Sequence, residues 1–428
     1  MKGRRESNIV DAEIVAIGSE LLLGGAADTN SLFLADELLK LGIEVRYKTV
    51  VGDTPKDIED VLLHAFERAH VIITTGGLGP TEDDLTRKAI ARVTGRRLVL
   101  HNDALAAITH RLAARGRPVT PEQTTQALIP HRAHILQNPV GIAPGFFLMK
   151  DDRGVMCLPG VPSEMRRMFS EGGAECLEPL AGGATHGSLI RRRLRTFGLT
   201  ESEIDSRLRD LYRAEPNVVL GLQAGEEGVD VSITVKARHL ESAQATMKRV
   251  ERAVRDRMGH ALYAVGSQTM EGVLALQLKA RRLTVTVAES CTGGLVSQRL
   301  TSIPGSSSYF KRGYVVYSNK SKVEMLKISG TLLNEKGAVS REVVTAMAEA
   351  VRARGNTDLG VAVTGIAGPS GGTKEKPVGL VFWAVADKKQ TLWLSQIFGG
   401  DREGIRRRAS QAVLDMLRRY LSGKPVVE

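Results

Sequence analysis

The chain has 428 residues, a length that calls for about three domains of ~150 residues rather than one core. Hydrophobic residues make up 42%, charged residues 25% and aromatics only 4%, ordinary for a soluble globular protein, and no apolar run approaches the roughly 20 residues that span a bilayer as a helix, so no membrane partner is expected. The net charge of +11 favours anionic partners, but no basic stretch is interleaved with stacking aromatics, so small phosphorylated metabolites are expected ahead of nucleic acid.

The start, Met1 to Asn8, is polar and lacks the apolar segment of a secretion signal. Ala12 to Ile17 reads as a strand ending at Gly18, and Thr29 to Leu41 as an amphipathic helix. Glu44 to Val51 is a second strand, Pro55 to Ala69 a helix with proline at its start, and His70 to Thr75 a third strand. Strands separated by helices of this length predict a parallel sheet with right-handed crossovers. The pattern runs to about Glu178.

Directly after the third strand comes Gly76-Gly77-Leu78-Gly79-Pro80-Thr81-Glu82-Asp83-Asp84. Gly76, Gly77 and Gly79 let the backbone approach a ligand, and the turn through Thr81 into the next helix offers N–H donors to phosphate. The adjacent carboxylates Asp83 and Asp84 would repel a bare phosphate and suit a divalent cation that bridges them to it. Asp53 and Glu20, after the second and first strands, reach the same sheet edge. Acidic residues also favour the first turn of any helix, so the residues alone leave both readings open.

Leu180 to Gly187 reads as a linker. Beyond it, Leu189 to Phe197, Asn217 to Gln223 and Val229 to Arg238 are expected strands. Glu201 to Tyr212 and Glu241 to Met258 are expected helices, the first opened by a Thr200–Glu203 capping box. This strand–helix–strand–strand–helix order predicts a small α+β module without a catalytic cluster. Three widely spaced cysteines (Cys157, Cys176 and Cys291) form no CxxC pair, so neither disulfides nor zinc are expected, and the cytoplasm is the expected location.

From Met270 onward the pattern returns to α/β. Strands are expected at Leu283 to Val287, Tyr314 to Ser318, Leu359 to Thr364, Val378 to Val385 and Leu392 to Phe398, with the clearest helices at Ser340 to Arg354 and Arg402 to Leu421. Three motifs end at one sheet edge, where open α/β sheets bind ligands: Ala288-Glu289-Ser290-Cys291-Thr292-Gly293-Gly294, then Tyr317-Ser318-Asn319-Lys320-Ser321-Lys322, then Thr364-Gly365-Ile366-Ala367-Gly368-Pro369. A serine at a strand–helix junction sits beside backbone N–H donors that can hold an anion or an oxyanion. A desolvated lysine has a lowered pKa and can take the serine proton, directly or through a tyrosine.

The order of these three motifs resembles the nicotinamide-nucleotide amidohydrolase domain of the competence/damage-inducible, or CinA, family over Met270 to Leu421. The resemblance implies that Ser290, Tyr317 and Lys322 deamidate nicotinamide mononucleotide to nicotinate mononucleotide and ammonia. Ser290 would attack the carboxamide carbon and Lys322 would activate it, with Tyr317 between them. Thr292, Gly293, Gly294, Thr364 and Gly365 would contact substrate, Arg402 and Arg406 would lie near its phosphate, and no cofactor is implied.

The first segment resembles the molybdopterin-binding-like domain, and more closely the CinA N-terminal domain. The matching residues are Gly18-Ser19-Glu20-Leu21-Leu22, Asp28-Thr29-Asn30, Val51-Gly52-Asp53, the Gly76–Asp84 run, Asn138, Gly141 to Gly145 and Leu158 to Pro162. This implies a divalent-metal-dependent ADP-ribose pyrophosphatase, with magnesium the expected ion. Asp84, Asp83, Asp53 and Glu20 would be its ligands, and Gly76, Gly77, Gly79 and Thr81 the substrate cradle. The expected fold is two α/β domains with mainly parallel sheets (residues 1–178 and 270–428), joined by a KH-like α+β module (188–264). That module has no GxxG loop after its first helix, so RNA binding is not expected. A homodimer is the expected assembly. The alternatives are a non-catalytic adaptor in competence or DNA repair, or an N-terminal domain that only binds a pterin or nucleotide.

Overall fold

The computed structural model describes residues 9–181, 188–424 and 426; the polar start Met1–Asn8 and the Gly182–Gly187 part of the expected linker lie outside them. Two compact units are present, residues 1–191 with 234–248, and residues 192–233 with 249–428.

The first unit is built on a six-stranded sheet in the order Glu44–Val51, Asp11–Ile17, Val71–Thr75, Arg153–Leu158, Gly145–Lys150, His134–Leu136. Its first three pairings are parallel, as the helical crossovers require. The last two are antiparallel; Gly145–Lys150 turns into Arg153–Leu158 through only Asp151 and Asp152, far too short for a crossover. Ala12 and Ile14 pack into one core layer and Val15 and Ile17 into the other, so the strand is apolar on both faces. The register sets Ile17 beside Val51, Ala16 beside Thr75, and Thr75 beside Leu158. The loops that follow these strands therefore emerge at one edge.

A four-stranded sheet runs in the order Val218–Gly225, Gly228–Ala237, Ser188–Thr196, Leu262–Val265. The helices Glu201–Ala214 and Leu240–Met258 complete the expected order, and Thr200 and Glu203 form the reciprocal capping box. The fourth strand, Leu262–Val265, escaped the sequence reading because its four residues show too little alternation.

The second unit carries a five-stranded sheet in the order Phe310–Val315, Val285–Glu289, Leu359–Gly365, Leu380–Ala386, Thr391–Ile397. The first two pairings are parallel and the last two antiparallel, so only Leu380–Ala386 runs against the other four strands. The final strand returns through a tight turn in which the Asp387 carboxylate accepts from the Lys389 and Gln390 amides. The helix Arg402–Leu421 packs on one face and Arg341–Gly355 on the other. The strand expected at Tyr314 to Ser318 lies instead at Phe310–Val315, because Ser318 is committed to capping the helix Asn319–Leu326 with Ser321. Among the described residues no helix is long and apolar enough to cross a membrane.

Candidate active sites at the carboxyl edges of the two sheets

In the second unit, Ser290 directly follows the strand Val285–Glu289, and its amide still donates to the Val363 carbonyl of the neighbouring central strand (3.0 Å). Lys322 lies in the first turn of Asn319–Leu326 and is almost wholly buried (1% exposed). Its Nζ donates to Ser290 Oγ (3.1 Å) and the Val316 carbonyl (2.9 Å), with the Tyr317 carbonyl at 3.5 Å. Burial disfavours the ammonium and lowers its pKa to about 8. With two carbonyls facing two of its N–H groups, the remaining position on the nitrogen faces Ser290, where the neutral amine presents its lone pair. That is the geometry of a general base on a serine nucleophile.

The tyrosine is placed differently from the relay that the sequence suggests. Tyr317 is exposed, and its hydroxyl accepts from Arg402 Nη2 (2.6 Å), while Arg402 Nη1 donates to the Gly368 carbonyl (2.6 Å). Ser290 and Lys322 meet directly without it. Arg406 Nη2 donates to the Thr292 carbonyl (2.9 Å) and Nη1 to Glu403 (2.9 Å). The two arginines thus flank the Ser290 loop on the first turns of the helix Arg402–Leu421.

Part of the donor set expected at the helix start is taken by Glu289. This fully buried carboxylate accepts from the amides of Gly294, Val296 and Ser297 and from the hydroxyls of Thr292 and Ser297, at 2.7–3.0 Å. An internal anion already occupies that helix terminus. The Thr292 hydroxyl is therefore spent on the loop. Gly293 and Gly294 supply the left-handed backbone (φ 60° and 98°) that bends it. Thr364 is likewise turned inward, donating to the Ala338 carbonyl (2.9 Å), and a Cβ on Gly365 would crowd Val381 and the Leu380 carbonyl. The hydroxyl protons of Thr292 and Thr364 are thus committed within the fold. Cys291, beside the serine, is buried, which pushes its thiol up to about 12 and makes it inert.

In the first unit the loops at the shared strand edge enclose a cavity of about 740 Å³. Gly76, Gly77 and Gly79 line it. A side chain at Gly76 (φ 106°) would strike the Ile17 carbonyl and one at Gly77 (φ 66°) the Thr86 hydroxyl, so the loop needs glycine for its own path. Buried Arg87 ties the loop from below, donating to the Leu78 (2.5 Å) and Gly79 (3.0 Å) carbonyls. Asp84 ties it from within, accepting from the Gly79 amide (2.7 Å) and the Thr81 amide (2.8 Å) and hydroxyl (2.6 Å). Asp53 accepts from the Ser19 amide (2.8 Å).

Glu20, Asp53, Asp83 and Asp84 all line this cavity, and their hard oxygens suit a divalent cation. They do not converge on a point: among the described residues no group of three or more His, Cys, Asp or Glu side chains could hold a metal ion. Asp84 and Asp53 are engaged by the loops instead. The residues fit an ion that arrives with the phosphates of a ligand, held by one or two carboxylates, and do not fit a preassembled protein cage.

Two buried residues of this cavity had no assigned role in the sequence. Asn30 stands in the Asp28-Thr29-Asn30 match but looks from sequence like an ordinary helix residue; Gln126 carries no signal at all. Glu289 could have been noticed, since a carboxylate at the end of an apolar strand needs several donors.

Three family models cover most of the chain: a probable molybdopterin binding domain over residues 13–178, the damage-inducible protein CinA KH domain over 191–264, and the CinA C-terminal domain over 267–421. A CinA-like protein of Koribacter versatilis is 41% identical over 414 residues, covering 96% of this chain and 99% of its own. The chain belongs to the CinA family. A CinA relative named putative competence-damage inducible protein, from Symbiobacterium thermophilum, is 40% identical over 96% of this chain and 99% of its own. The crystal structure of a CinA protein of unknown function from Thermoplasma acidophilum is similar at 34% identity, covering 40% of this chain and 99% of its own, with a TM-score of 0.37. A competence/damage inducible protein from Agrobacterium tumefaciens is similar at 39% identity, covering 36% of this chain and 93% of its own, with a TM-score of 0.35.

Proposed function

We propose that the second unit is an amidohydrolase that converts nicotinamide mononucleotide and water to nicotinate mononucleotide and ammonia. The observation that carries this reading is the buried Lys322 amine, lowered to about 8, at 3.1 Å from the Ser290 hydroxyl. Ser290 Oγ attacks the carboxamide carbon as Lys322 takes its proton. The C–N bond then breaks, and Lys322 returns the proton to the departing ammonia, leaving a nicotinoyl ester on Ser290. Water, deprotonated by Lys322, hydrolyses the ester and regenerates the serine. Arg402 and Arg406 retain guanidinium donors suited to the nucleotide phosphate. Ammonia release from nicotinamide mononucleotide should be abolished by Ser290→Ala with the melting temperature unchanged. Undiminished release would remove Ser290 from the reaction.

A second activity is favoured by the glycine-lined, carboxylate-rich cavity of the first unit: hydrolysis of ADP-ribose at its diphosphate. One or two of the lining carboxylates Glu20, Asp53, Asp83 and Asp84 would hold a divalent cation together with the ligand's phosphates, probed first as magnesium, which would supply charge neutralisation and Lewis-acid polarisation of the phosphates. The Gly76–Gly79 backbone accommodates the phosphates closely. Asp83→Asn should abolish magnesium-dependent release of AMP from ADP-ribose while leaving nicotinamide mononucleotide deamidation intact. Cleavage that is insensitive to both magnesium and Asp83→Asn would leave the cavity a pterin or nucleotide binder.

A further inference from the structure

The second unit holds a further concavity that the proposed deamidation does not use. Its volume is about 450 Å³, within the range of small-molecule sites. The strand Leu262–Val265 contributes one side, and the end of the helix Arg402–Leu421 with the residues after it contributes another. Arg255, Arg418 and Lys424 line it, and none of its described lining residues is acidic.

The cations here outnumber the carboxylates that hold them. Arg418 is almost wholly buried (3% exposed). Its Nε (2.9 Å) and Nη2 (2.6 Å) donate to Asp415 Oδ1, and Nη2 also donates to the His260 carbonyl (2.7 Å). Asp415 accepts from Arg419 Nε through its other oxygen (2.8 Å). Glu251 repeats the pattern, accepting from Arg255 Nε (2.8 Å) and Arg192 Nη1 (2.8 Å). Two carboxylates therefore hold four guanidinium groups, and Lys424 forms no ion pair among the described residues. Burial, with the nearby Arg418 and Arg419 charges, pushes the Lys424 pKa below the ordinary lysine value.

Arg418 also keeps a free donor. Its Nη1 has no partner among the described residues, yet it is not sealed from solvent as the Nε atoms of Arg195 and Arg408 are. Asp415 and His260 clamp the other two nitrogens, so Nη1 is the one left for the concavity that Arg418 lines. Basic residues do favour the negative end of a helix, but that role needs neither an open nitrogen nor a concavity. An oriented guanidinium donor with a second, unpaired cation on the same wall suits a phosphate oxygen.

We infer that this concavity is a separate anion site, which takes the phosphate of a small phosphorylated metabolite on Arg418 Nη1 and Lys424. Its size suits a ligand on the scale of a mononucleotide. Arg418 lies twelve residues beyond Arg406 on one helix, about 18 Å at a rise of 1.5 Å per residue. The site is therefore distinct from the donors near Ser290, and it stands whether or not the deamidation does.

The test is a titration of the full chain, methyl-labelled at leucine and valine, with adenosine monophosphate at low salt. The signals read are those of Leu262, Val265 and Val273, which line the concavity. Saturable shifts are expected there in the wild type and in Arg402→Gln/Arg406→Gln, which lacks the donors near Ser290, and inorganic phosphate should compete. Lys424→Gln should weaken the fitted Kd about tenfold, the order of one hydrogen bond to a charged group, and Lys424→Arg should restore it. The melting temperature of Lys424→Gln without ligand should stay within about 2 °C of the wild type, since the lysine pairs with nothing described. Absence of shifts at these methyls, or shifts that Lys424→Gln leaves unchanged, would overturn the site. A single-stranded oligonucleotide that binds there more tightly than adenosine monophosphate, and equally through Lys424, would overturn the small-molecule reading and make this face a nucleic-acid contact.

Discussion

The Tyr317 hydroxyl accepts a 2.6 Å hydrogen bond from Arg402, and this bond ties the tyrosine to an arginine of the substrate side instead of to the Ser290–Lys322 pair. A tyrosine in the proton path and a tyrosine that positions an arginine fail differently. Tyr317→Phe is expected to raise KM for nicotinamide mononucleotide by about tenfold, the order of one hydrogen bond to a charged group at an exposed site, and to leave kcat within about threefold. Steady-state ammonia release separates the two. A fall in kcat as deep as that of Lys322→Met would put the tyrosine back between serine and lysine.

Because burial lowers Lys322 to about 8, its amine is mostly protonated at neutral pH and cannot accept the serine proton. The rate kcat/KM should therefore rise about tenfold per pH unit below ~8 and level off above it. Lys322→Arg holds a guanidinium that stays charged throughout, and should cost roughly 10²–10⁴ in rate on the plateau above pH ~8, the deficit shrinking about tenfold per pH unit below it as the wild type loses its neutral amine. A flat wild-type profile from pH 6 to 9 would argue against lysine as the base.

The same shift has a stability consequence with a definite sign. Between about 8 and the ordinary lysine value of 10.5 the unfolded chain binds a proton at residue 322 that the folded chain does not, so stability rises with pH across that window. Relative to Lys322→Met, the wild-type protein should gain up to about 3 kcal/mol between pH 7 and pH 11 in urea denaturation, provided unfolding remains two-state.

Glu289 is the residue whose loss should hurt the fold most. Its carboxylate satisfies three amides and two hydroxyls at full burial. Glu289→Gln turns an NH₂ toward N–H donors and should destabilise the second unit by about 3 kcal/mol, whereas Ser290→Ala next to it should stay within about 1 kcal/mol. Urea midpoints of the two variants make the comparison, and equal midpoints would mean that the loop is held some other way.

These contrasts show what was legible in the sequence. Helices with strong ends were readable to within a residue or two: Thr200 with Glu203 at one start, and the helix beginning at Arg402, whose cap is Asp401. The Ser290 and Lys322 motifs were visible because a strand–turn–helix fixes where a side chain emerges. Where a hydroxyl is spent was not visible. Thr292 and Thr364 stand in site motifs, yet each donates inward, to Glu289 and to Ala338, because long-range packing brings a stronger acceptor near. The strand expected at Tyr314 was displaced because Ser318 has two possible uses, pairing in a strand or capping a helix, and only the capping partner Ser321 decides between them. The setting of Asn30 lay beyond reach for the same reason: its amide is held by Thr75 and Gly160, 45 and 130 residues away in sequence.

The carboxylates of the first unit line one cavity without forming a ready metal cage, and Asp84 and Asp53 are already held by the Gly79, Thr81 and Ser19 donors. Magnesium alone should therefore leave the melting temperature of the unit nearly unchanged at millimolar concentration. Magnesium with a non-hydrolysable ADP-ribose analogue should raise it, because ligand bound at 100 times its Kd adds about 2.7 kcal/mol to the folded state. The analogue with EDTA should give a much smaller rise, since six carboxylates then face an uncompensated diphosphate. Differential scanning calorimetry of the full chain with Asp83→Asn as the control reads all three conditions. A large stabilisation by magnesium alone would mean that the four acidic residues do assemble a cation site before the ligand arrives.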